Sequence, residues 1–563
     1  MATISFRKNE LVRFIGKEVS PQEIAHSFEM LGMPVDKYDE EEIIADITND
    51  RVDMFTVEGA GRAIGQFLGV LGPKEYKTSK SELVLHVENV ECRPYVVAFV
   101  AKNVKIDDEM IRSLIMAQEK IHETFGRKRR KIAIGIHDAD KVEGPLYYRQ
   151  LKDIKFIPLD ASKEMSIQEI LSNHPKGQEY AHIFNNVNQY PMFMDKKGVL
   201  SFPPIINSER TRLTENTRNL LFDITGTSEH AIRLVANIFA TSLADRGALI
   251  EDVEIIANGL RRNSLEYGRK EKLSIKFANK ILGVRFKPEE IISLLSRMGF
   301  KSNLSTKKDE LIIDVPPYRA DIMHEVDFVE DIAVAYGYDK FKPKLPNLTT
   351  NGSISPQSKI DQKVREMMVA LQFIETNSWT LTNEETMGKA LMEKKAVKIK
   401  NPRTQDFTVF RTDITPSLLS ILSENKTKGL PLKVFEVGRV ADEKGNCYTN
   451  LCCAIMGENA DFSQIATVLF EIKRFANISE VYPDELKTDK KSDKNKIQTN
   501  NFKHSIDGRY IFIKNIEDGK ICGWAGEIHP QVLENFKLEY PVVMMEFRLQ
   551  PKEDKKKRKK RSN

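Results

Sequence analysis

Cysteine is scarce in this 563-residue sequence, five in all: Cys92, Cys447, Cys452, Cys453 and Cys522. The number is odd and no pair has C-x-x-C spacing, so neither a disulfide framework nor a zinc site is supported, and they are read as small core residues. No apolar run approaches the roughly 18 residues that span a bilayer, and Met1-Ala-Thr-Ile-Ser-Phe-Arg-Lys8 lacks the apolar segment of a signal peptide. A cytoplasmic chain with no membrane contact is expected. There is no P-loop to cradle a nucleotide. Spread positive charge is missing too. Residues 551–563 carry eight Lys or Arg against Glu553 and Asp554, a local +6 that leaves the rest of the formal +5 chain at −1. This basic tail is read as disordered and solvated, with nucleic-acid contact or a localisation signal as the alternative.

What is present is ample core material: 41% hydrophobic residues over 563 positions predict a soluble chain of three or four domains. Ser20-Pro-Gln-Glu23 is a capping-box start for a helix that Leu31-Gly32 closes. Glu42–Thr48 reads as a strand, and a helix from about Val57 to Leu71 contains Gly59-Ala-Gly-Arg-Ala-Ile-Gly65. A dinucleotide fingerprint needs its first glycine in the turn directly after a strand, whereas these glycines fall inside a helix, so close helix packing is the better explanation. Pro288 to Gly299 repeats the helix-to-glycine unit of Pro21 to Gly32, which hints at duplicated small domains.

From Glu82 the pattern turns strand-rich, interrupted by a helix over about 108–124 and by Arg127-Lys-Arg-Arg-Lys131 before the buried strand Ile132–Asp138. These five cations suit RNA phosphates or a solvated loop. His137-Asp138 has no nucleophile or metal-ligand spacing beside it. Over 174–227, prolines and glycines alternate with Ser, Thr, Asn and Asp, the composition of a polar pocket built on loops. Lys342–Gly352 is a linker, and Lys487–Lys496 is read as a surface loop.

The most crowded acidic stretch is Val315–Asp339. Pro316 and Pro317 hold the chain extended, and Ile322, Val326, Val329 and Ala333 recur at helical spacing. Asp327, Glu330 and Asp331 stand at i, i+3 and i+4, with Asp321 just before them. Like charges so placed repel, by a few tenths of a kcal/mol per exposed pair. The readings are a solvated face, a helix-dipole contribution to Asp321, pairing with Lys or Arg, or a hard divalent cation such as Mg2+.

Several segments together carry a family resemblance: Asn49-Asp-Arg-Val-Asp-Met54, Gln118-Glu-Lys-Ile-His122, Ala133–Asp138, Phe202-Pro-Pro-Ile-Ile-Asn207 and Asp223-Ile-Thr-Gly-Thr227. Tyr318-Arg-Ala-Asp321, Asp327-Phe-Val-Glu-Asp331, Phe435-Glu-Val-Gly438 and Gly526-Glu-Ile-His-Pro530 extend them over nearly the whole chain. On these residues the chain resembles the β subunits of phenylalanyl-tRNA synthetases of the archaeal and eukaryotic cytosolic type. The resemblance implies a mixed α/β and α+β multidomain fold. Its expected parts are a small α/β domain (1–78), a β-rich tRNA-editing domain (79–267), a DNA-binding-like, winged module (268–345), a class II synthetase-like antiparallel-sheet domain (346–550) and the basic tail. It further implies an α2β2 assembly with an α subunit that binds ATP and attaches phenylalanine to tRNA, and Mg2+ on Asp321, Asp327, Glu330 and Asp331.

Residues 353–550 have no G-x-G-x-x-x-R after residue 400, only Arg411 as a stand-in phosphate arginine, which agrees with a non-catalytic synthetase-like domain. An apolar pocket discriminates poorly between phenylalanine and tyrosine, so a second site gripping the hydroxyl is useful. Ser201, Asn207, Asp223, Thr225 and Thr227 are the expected lining of that site, orienting tyrosine and a hydrolytic water. The competing class is a non-enzymatic scaffold and tRNA-binding subunit whose pocket is vestigial.

Overall fold

Strands and helices alternate along the chain in two units, residues 1–345 and 346–563, each described by itself. The structure, a computed structural model, describes residues 2–185, 187–306, 309–392, 395–476, 478–483 and 502–551. The Lys487–Lys496 run and the basic tail lie outside these residues.

The first unit opens on a β-α-α-β-β-α arrangement: strand Ala2–Arg7, helices Lys8–Ile15 and Pro21–Met30, strands Val35–Tyr38 and Glu42–Ile47, then helix Val57–Phe67. Ser20 Oγ accepts the Glu23 amide at 3.3 Å and Thr56 Oγ1 accepts that of Gly59 at 3.1 Å, so both helices start where a hydroxyl can take an orphan N–H. The glycine motif lies inside the last helix. A Cβ at Gly61 would sit 2.5 Å from Phe14 Cβ, and one at Gly65 would sit 2.8 Å from the Ile15 carbonyl oxygen. The glycines therefore let this helix close on Lys8–Ile15, as the packing explanation expects.

The duplication hint has a topological counterpart. Residues 269–336 repeat the order, with strand Arg269–Ser274, helices Ile275–Leu282 and Pro288–Arg297, strands Lys301–Leu304 and Glu310–Val315, and helix Glu325–Tyr336. In both three-stranded sheets the last strand lies between the other two. Each repeat also carries an R-x-D clamp before its final helix: Arg51 grips Asp53 through two hydrogen bonds of 2.9 Å, and Arg319 grips Asp321 at 2.8 and 2.6 Å. Arg297 joins the repeats by donating to Phe67 O at 2.7 Å and to Ala335 O at 2.6 Å.

The acidic helix departs from its sequence reading at two points. It begins at Glu325, not near Ile322, because Asp327 Oδ2 takes the amides of both Met323 and His324 at 2.6 Å and so fixes the first turn there. Val326 is 44% exposed, while Phe328, Val329 and Ile332 face the core with Phe300, Leu311 and Ile313.

Between the repeats lies a ten-stranded sheet. Leu249–Ala257, Tyr95–Lys102, Leu220–Gly226 and Ile132–Asp138 run side by side at one end; Leu146–Leu151, Tyr190–Asp195, Gly198–Phe202 and Ile206–Asn207 form the other. Helix Glu229–Asp245 covers one face, with Phe239 against Phe222 and Phe222 stacked on Phe99. A single core continues from Ala2 through Leu265 to Tyr318, so residues 1–78 share apolar packing with the large sheet. The sheet curls until its ends meet, where Asn207 Nδ2 donates to Ile136 O at 3.2 Å.

The second unit is built on a seven-stranded sheet, antiparallel except for the short strand Ile374–Glu375 at its edge. Helices Pro356–Ala370 and Phe462–Ala476 pack on one face and helix Thr415–Glu424 on the other, giving two apolar layers. No helix among the described residues is long and apolar enough to cross a membrane.

Candidate active site

At the seam of the curled sheet lies a cavity of about 470 Å3, walled by helix Asp108–Glu123, by Ala133–Ile136 and by the run Pro203-Pro-Ile-Ile206. Strand alternation decides what it receives from the central strand Leu220–Gly226. Phe222 and Ile224 point into the core, so Asp223 points the opposite way, towards the cavity. Its partner in register is Gly135. A Cβ at Gly135 would stand 2.5 Å from Asp223 Oδ2, so the missing side chain makes the space in which the carboxylate lies.

Asp223 Oδ2 is the hub. It accepts Ser201 Oγ–H at 2.7 Å and lies 2.9 Å from His137 Nε2, and all three residues are buried. His137 Nδ1 is 2.8 Å from Thr211 Oγ1. A neutral imidazole satisfies both contacts by donating from Nε2 and accepting at Nδ1. Because Ser201 and His137 both address the same carboxylate oxygen, the imidazole is not placed to deprotonate the serine. The set is an oriented carboxylate rather than a serine-nucleophile triad.

A second polar group faces it from the helix. His122 Nε2 accepts the Ile134 amide at 2.9 Å and Nδ1 lies 3.3 Å from Glu119 Oε1; burial pushes this imidazole down to about 4, so it is neutral at pH 7. Burial raises Glu119, but the His122 hydrogen bond and the Arg129 charge outweigh it and hold the carboxyl at about 2. Arg129 donates to Glu119 at 2.7 Å and to the carbonyls of Pro204 and Ile205 at 3.3 and 3.0 Å, with its guanidinium 4.7 Å from the Tyr180 ring centre. Arg127, Lys128 and Arg129 all have φ between 53° and 63°, the left-handed region, at an expense of about 1–2 kcal/mol per residue. Backbone bonds from Arg129 N to His122 O (3.0 Å) and Lys131 N to Gly126 O (2.9 Å) hold this turn.

Of the five expected pocket residues, Ser201, Asn207 and Asp223 line the cavity. Thr225 and Thr227 do not, which corrects their assignment. Thr225 is fully buried and its hydroxyl receives Arg93 Nε at 2.7 Å, while Arg93 also donates to the carbonyls of Thr225, Arg129 and Arg130. It ties the strand to the basic turn. Thr227 is exposed at the strand's end, its amide on Lys131 O at 3.1 Å. His137, Thr211, Glu119, His122 and Arg129 are site residues that sequence reasoning gave no role. The sequence neighbour of His137 misleads, because Asp138 binds Thr217 at 3.0 Å, whereas its real partner lies 86 residues away. Glu119 and His122, at i and i+3 of one helix, left a usable signal.

The four carboxylates that the resemblance gives to magnesium do not converge. Asp321 and Asp331 share Arg319, whose Nη2 lies 2.6 and 2.8 Å from them, Asp327 caps the helix, and Glu330 is exposed. Among the described residues no three His, Cys, Asp or Glu side chains are grouped so as to hold a metal. The arrangement therefore does not fit the ion, and no chemistry is assigned to it. Burial raises Asp331 to about 6 despite Arg319; burial also acts on Asp321, but the Arg319 charge dominates and holds it at about 2.

In the second unit Arg411 is committed internally, donating to Glu436 and Ser378 at 2.7 Å and to Arg439 O at 2.8 Å. Glu546, which lines a cavity of about 620 Å3, is saturated by the amides of Ile414 and Thr415, the Thr415 hydroxyl and Asn450.

Comparison with known proteins places these features in a class, the aminoacyl-tRNA synthetase components. The B3/4 domain model matches residues 83–248, which hold the seam cavity; the tRNA synthetase B5 domain matches 271–338, and the phenylalanyl tRNA synthetase beta chain CLM domain matches 342–549. The phenylalanine–tRNA ligase beta subunit of Archaeoglobus fulgidus is 37% identical over 560 residues, 98% of each chain, and that of Methanocaldococcus jannaschii is 36% identical over 571 residues, covering 98% of this chain and 100% of the other. An N-terminal fragment of the phenylalanyl-tRNA synthetase beta subunit from Pyrococcus horikoshii superposes with a TM-score of 0.57 at 33% identity, covering 60% of this chain and 100% of the fragment. The chain belongs to the phenylalanine–tRNA ligase β-subunit family.

Proposed function

We propose that the seam cavity hydrolyses wrongly esterified tRNA, tyrosyl-tRNA in the first place, within a complex whose α subunit binds ATP with its Mg2+ and attaches phenylalanine to tRNA. The observation that supports this most is the buried Asp223 carboxylate, held by His137 and Ser201 at the wall of a cavity otherwise lined with Ile, Leu and Pro. The apolar wall suits an aromatic side chain, and the few fixed polar groups suit its hydroxyl and a water. The cost of leaving such a group unpaired lets the site favour tyrosine over phenylalanine, the sense in which editing needs to discriminate.

The residues act by positioning. Asp223 orients a water or the substrate hydroxyl through its second oxygen, His137 and Ser201 fix the carboxylate, and Asn207 holds the two sheet ends at the required separation. The Glu119–Arg129 pair, charged on both partners, offers a carboxylate towards the substrate's ammonium group. The second unit, with Arg411 and Glu546 satisfied internally, acts as a synthetase-type sheet domain without adenylation chemistry, and residues 269–336 as the DNA-binding-like module. The heterotetramer is α2β2.

The test is deacylation of tyrosyl-tRNA by the complex. Asp223→Asn, which keeps shape and removes the charge, is expected to lower kcat at least about a hundredfold, in the range of a lost positioned proton-transfer or electrostatic group, with aminoacylation of phenylalanine unchanged. Full deacylation by this variant would turn the reading to the scaffold with a vestigial pocket.

A further inference from the structure

The turn at Arg127–Lys131 presents its side chains to two places at once. Arg129 is buried and forms part of the seam cavity. Arg127, Lys128 and Arg130 are exposed and, with the half-buried Lys131, line a shallow recess on the outer side together with His182 and Thr227. None of these four cations forms a salt bridge with a described residue; Lys131 instead lies 4.5 Å from the Phe125 ring centre. Solvated loops normally mix charge signs or pair with a neighbouring carboxylate, and here the one buried member of the run takes the carboxylate while the rest stay free. Arg127 and Lys131 are close enough that burial and the Arg127 charge both lower Lys131. A concave strip of like charge on a backbone held in the left-handed region is the arrangement expected for a polyanion, since a bound phosphate chain removes the repulsion.

The recess has a fixed relation to the cavity. Arg93 links the carbonyls of Arg129 and Arg130 to Thr225, two residues along the strand from Asp223. Thr227, in the recess, is four residues from Asp223, roughly 13 Å at strand rise. An RNA whose terminal ester enters the cavity must trail the phosphates of its preceding nucleotides outside, within that distance.

We infer that Arg127, Lys128, Arg130 and Lys131 form a phosphate-binding strip that receives the single-stranded 3′ end of tRNA as its esterified terminus enters the seam cavity. This rests on the cavity being the hydrolytic site. The strip contacts phosphates only, so it acts on binding and register rather than on the bond cleaved.

The experiment uses the full complex carrying Arg127→Gln, Lys128→Gln and Arg130→Gln together, substitutions that keep side-chain length at the positions of positive φ. Binding of uncharged tRNA is titrated from 0.05 to 1 M salt, and deacylation is measured separately. At a slope of about 0.7 per phosphate contact on a single strand, three lost contacts lower the salt slope by about 2 and weaken binding about a hundredfold at 0.1 M, with the curves converging near 1 M. KM for deacylation rises while kcat holds. An unchanged salt slope overturns the strip, and so does weakening that is equal at every salt concentration. The binding arm does not depend on hydrolysis. If the parent complex fails to deacylate tyrosyl-tRNA, the hydrolytic reading falls while the slope still decides whether the turn binds RNA.

Discussion

One methyl group at residue 135 should dismantle the site without touching any of its polar residues. Gly135 lies opposite Asp223 in the sheet, and a Cβ there would stand 2.5 Å from Oδ2 and 2.8 Å from Cγ and Oδ1. The carboxylate must leave, and with it go the hydrogen bonds to Ser201 at 2.7 Å and to His137 at 2.9 Å. Overpacking contributes about 1–3 kcal/mol, and two partners stranded in a buried site about 1–3 kcal/mol each. Against this, alanine is better than glycine in a strand by about 0.5–1 kcal/mol. Allowing for partial relaxation of the strand, Gly135→Ala is expected to destabilise the first unit by about 2–5 kcal/mol and to abolish deacylation.

The origin of the effect can be isolated by a double-mutant cycle. In an Asp223→Ala background the space is empty, so Gly135→Ala should lose most of its effect, leaving under about 1 kcal/mol. Independent sites add to within about 0.5 kcal/mol. Scanning calorimetry of the full complex, read on the transition assigned to the first unit, gives the stabilities, and tyrosyl-tRNA deacylation gives the activity. Additive stabilities, or a Gly135→Ala variant with parental kcat, would refute the claim that this glycine exists to house the carboxylate.

Three further outcomes follow from the acidic helix. Arg319→Met leaves Asp321 and Asp331 buried without their shared cation, and a chemical melt should show a loss of about 3–5 kcal/mol; under 1 kcal/mol would mean that the pair is not a structural clamp. Asp331 has its folded value raised from 3.8 to about 6, so its contribution to stability is complete below about pH 4 and is lost as pH rises through about 6, at up to about 1.4 kcal/mol per unit. Asp331→Asn should flatten that part of the stability profile, and an unaltered slope would refute the assignment. Asp321, lowered to about 2, acts in the opposite sense, its contribution present above pH 4 and lost only as pH falls through about 2. Dialysis against EDTA should leave the first unit's melting temperature unchanged, and a drop that Mg2+ restores would reinstate an ion among Asp321, Asp327, Glu330 and Asp331.

The sequence by itself determined the features that depend on contiguous residues. Helix starts at Ser20 and Thr56, the packing role of Gly61 and Gly65, the repeated helix-to-glycine unit and the strand over Ile132–Asp138 all follow from capping chemistry, backbone sterics and periodicity, which operate within one or two turns of chain. Three pocket residues, Ser201, Asn207 and Asp223, were legible because small polar residues set in an apolar strand stand out. Tertiary structure alone decided the rest. It paired His137 with Asp223 rather than with its neighbour Asp138, turned Thr225 to Arg93, and sent the charge of Arg319 to Asp321 and Asp331, where spacing left cation, solvent and metal open. Each of these depends on which strands curl together and on which way a buried side chain finds its partner, and that is settled by the closing of the sheet, not by any local run of residues.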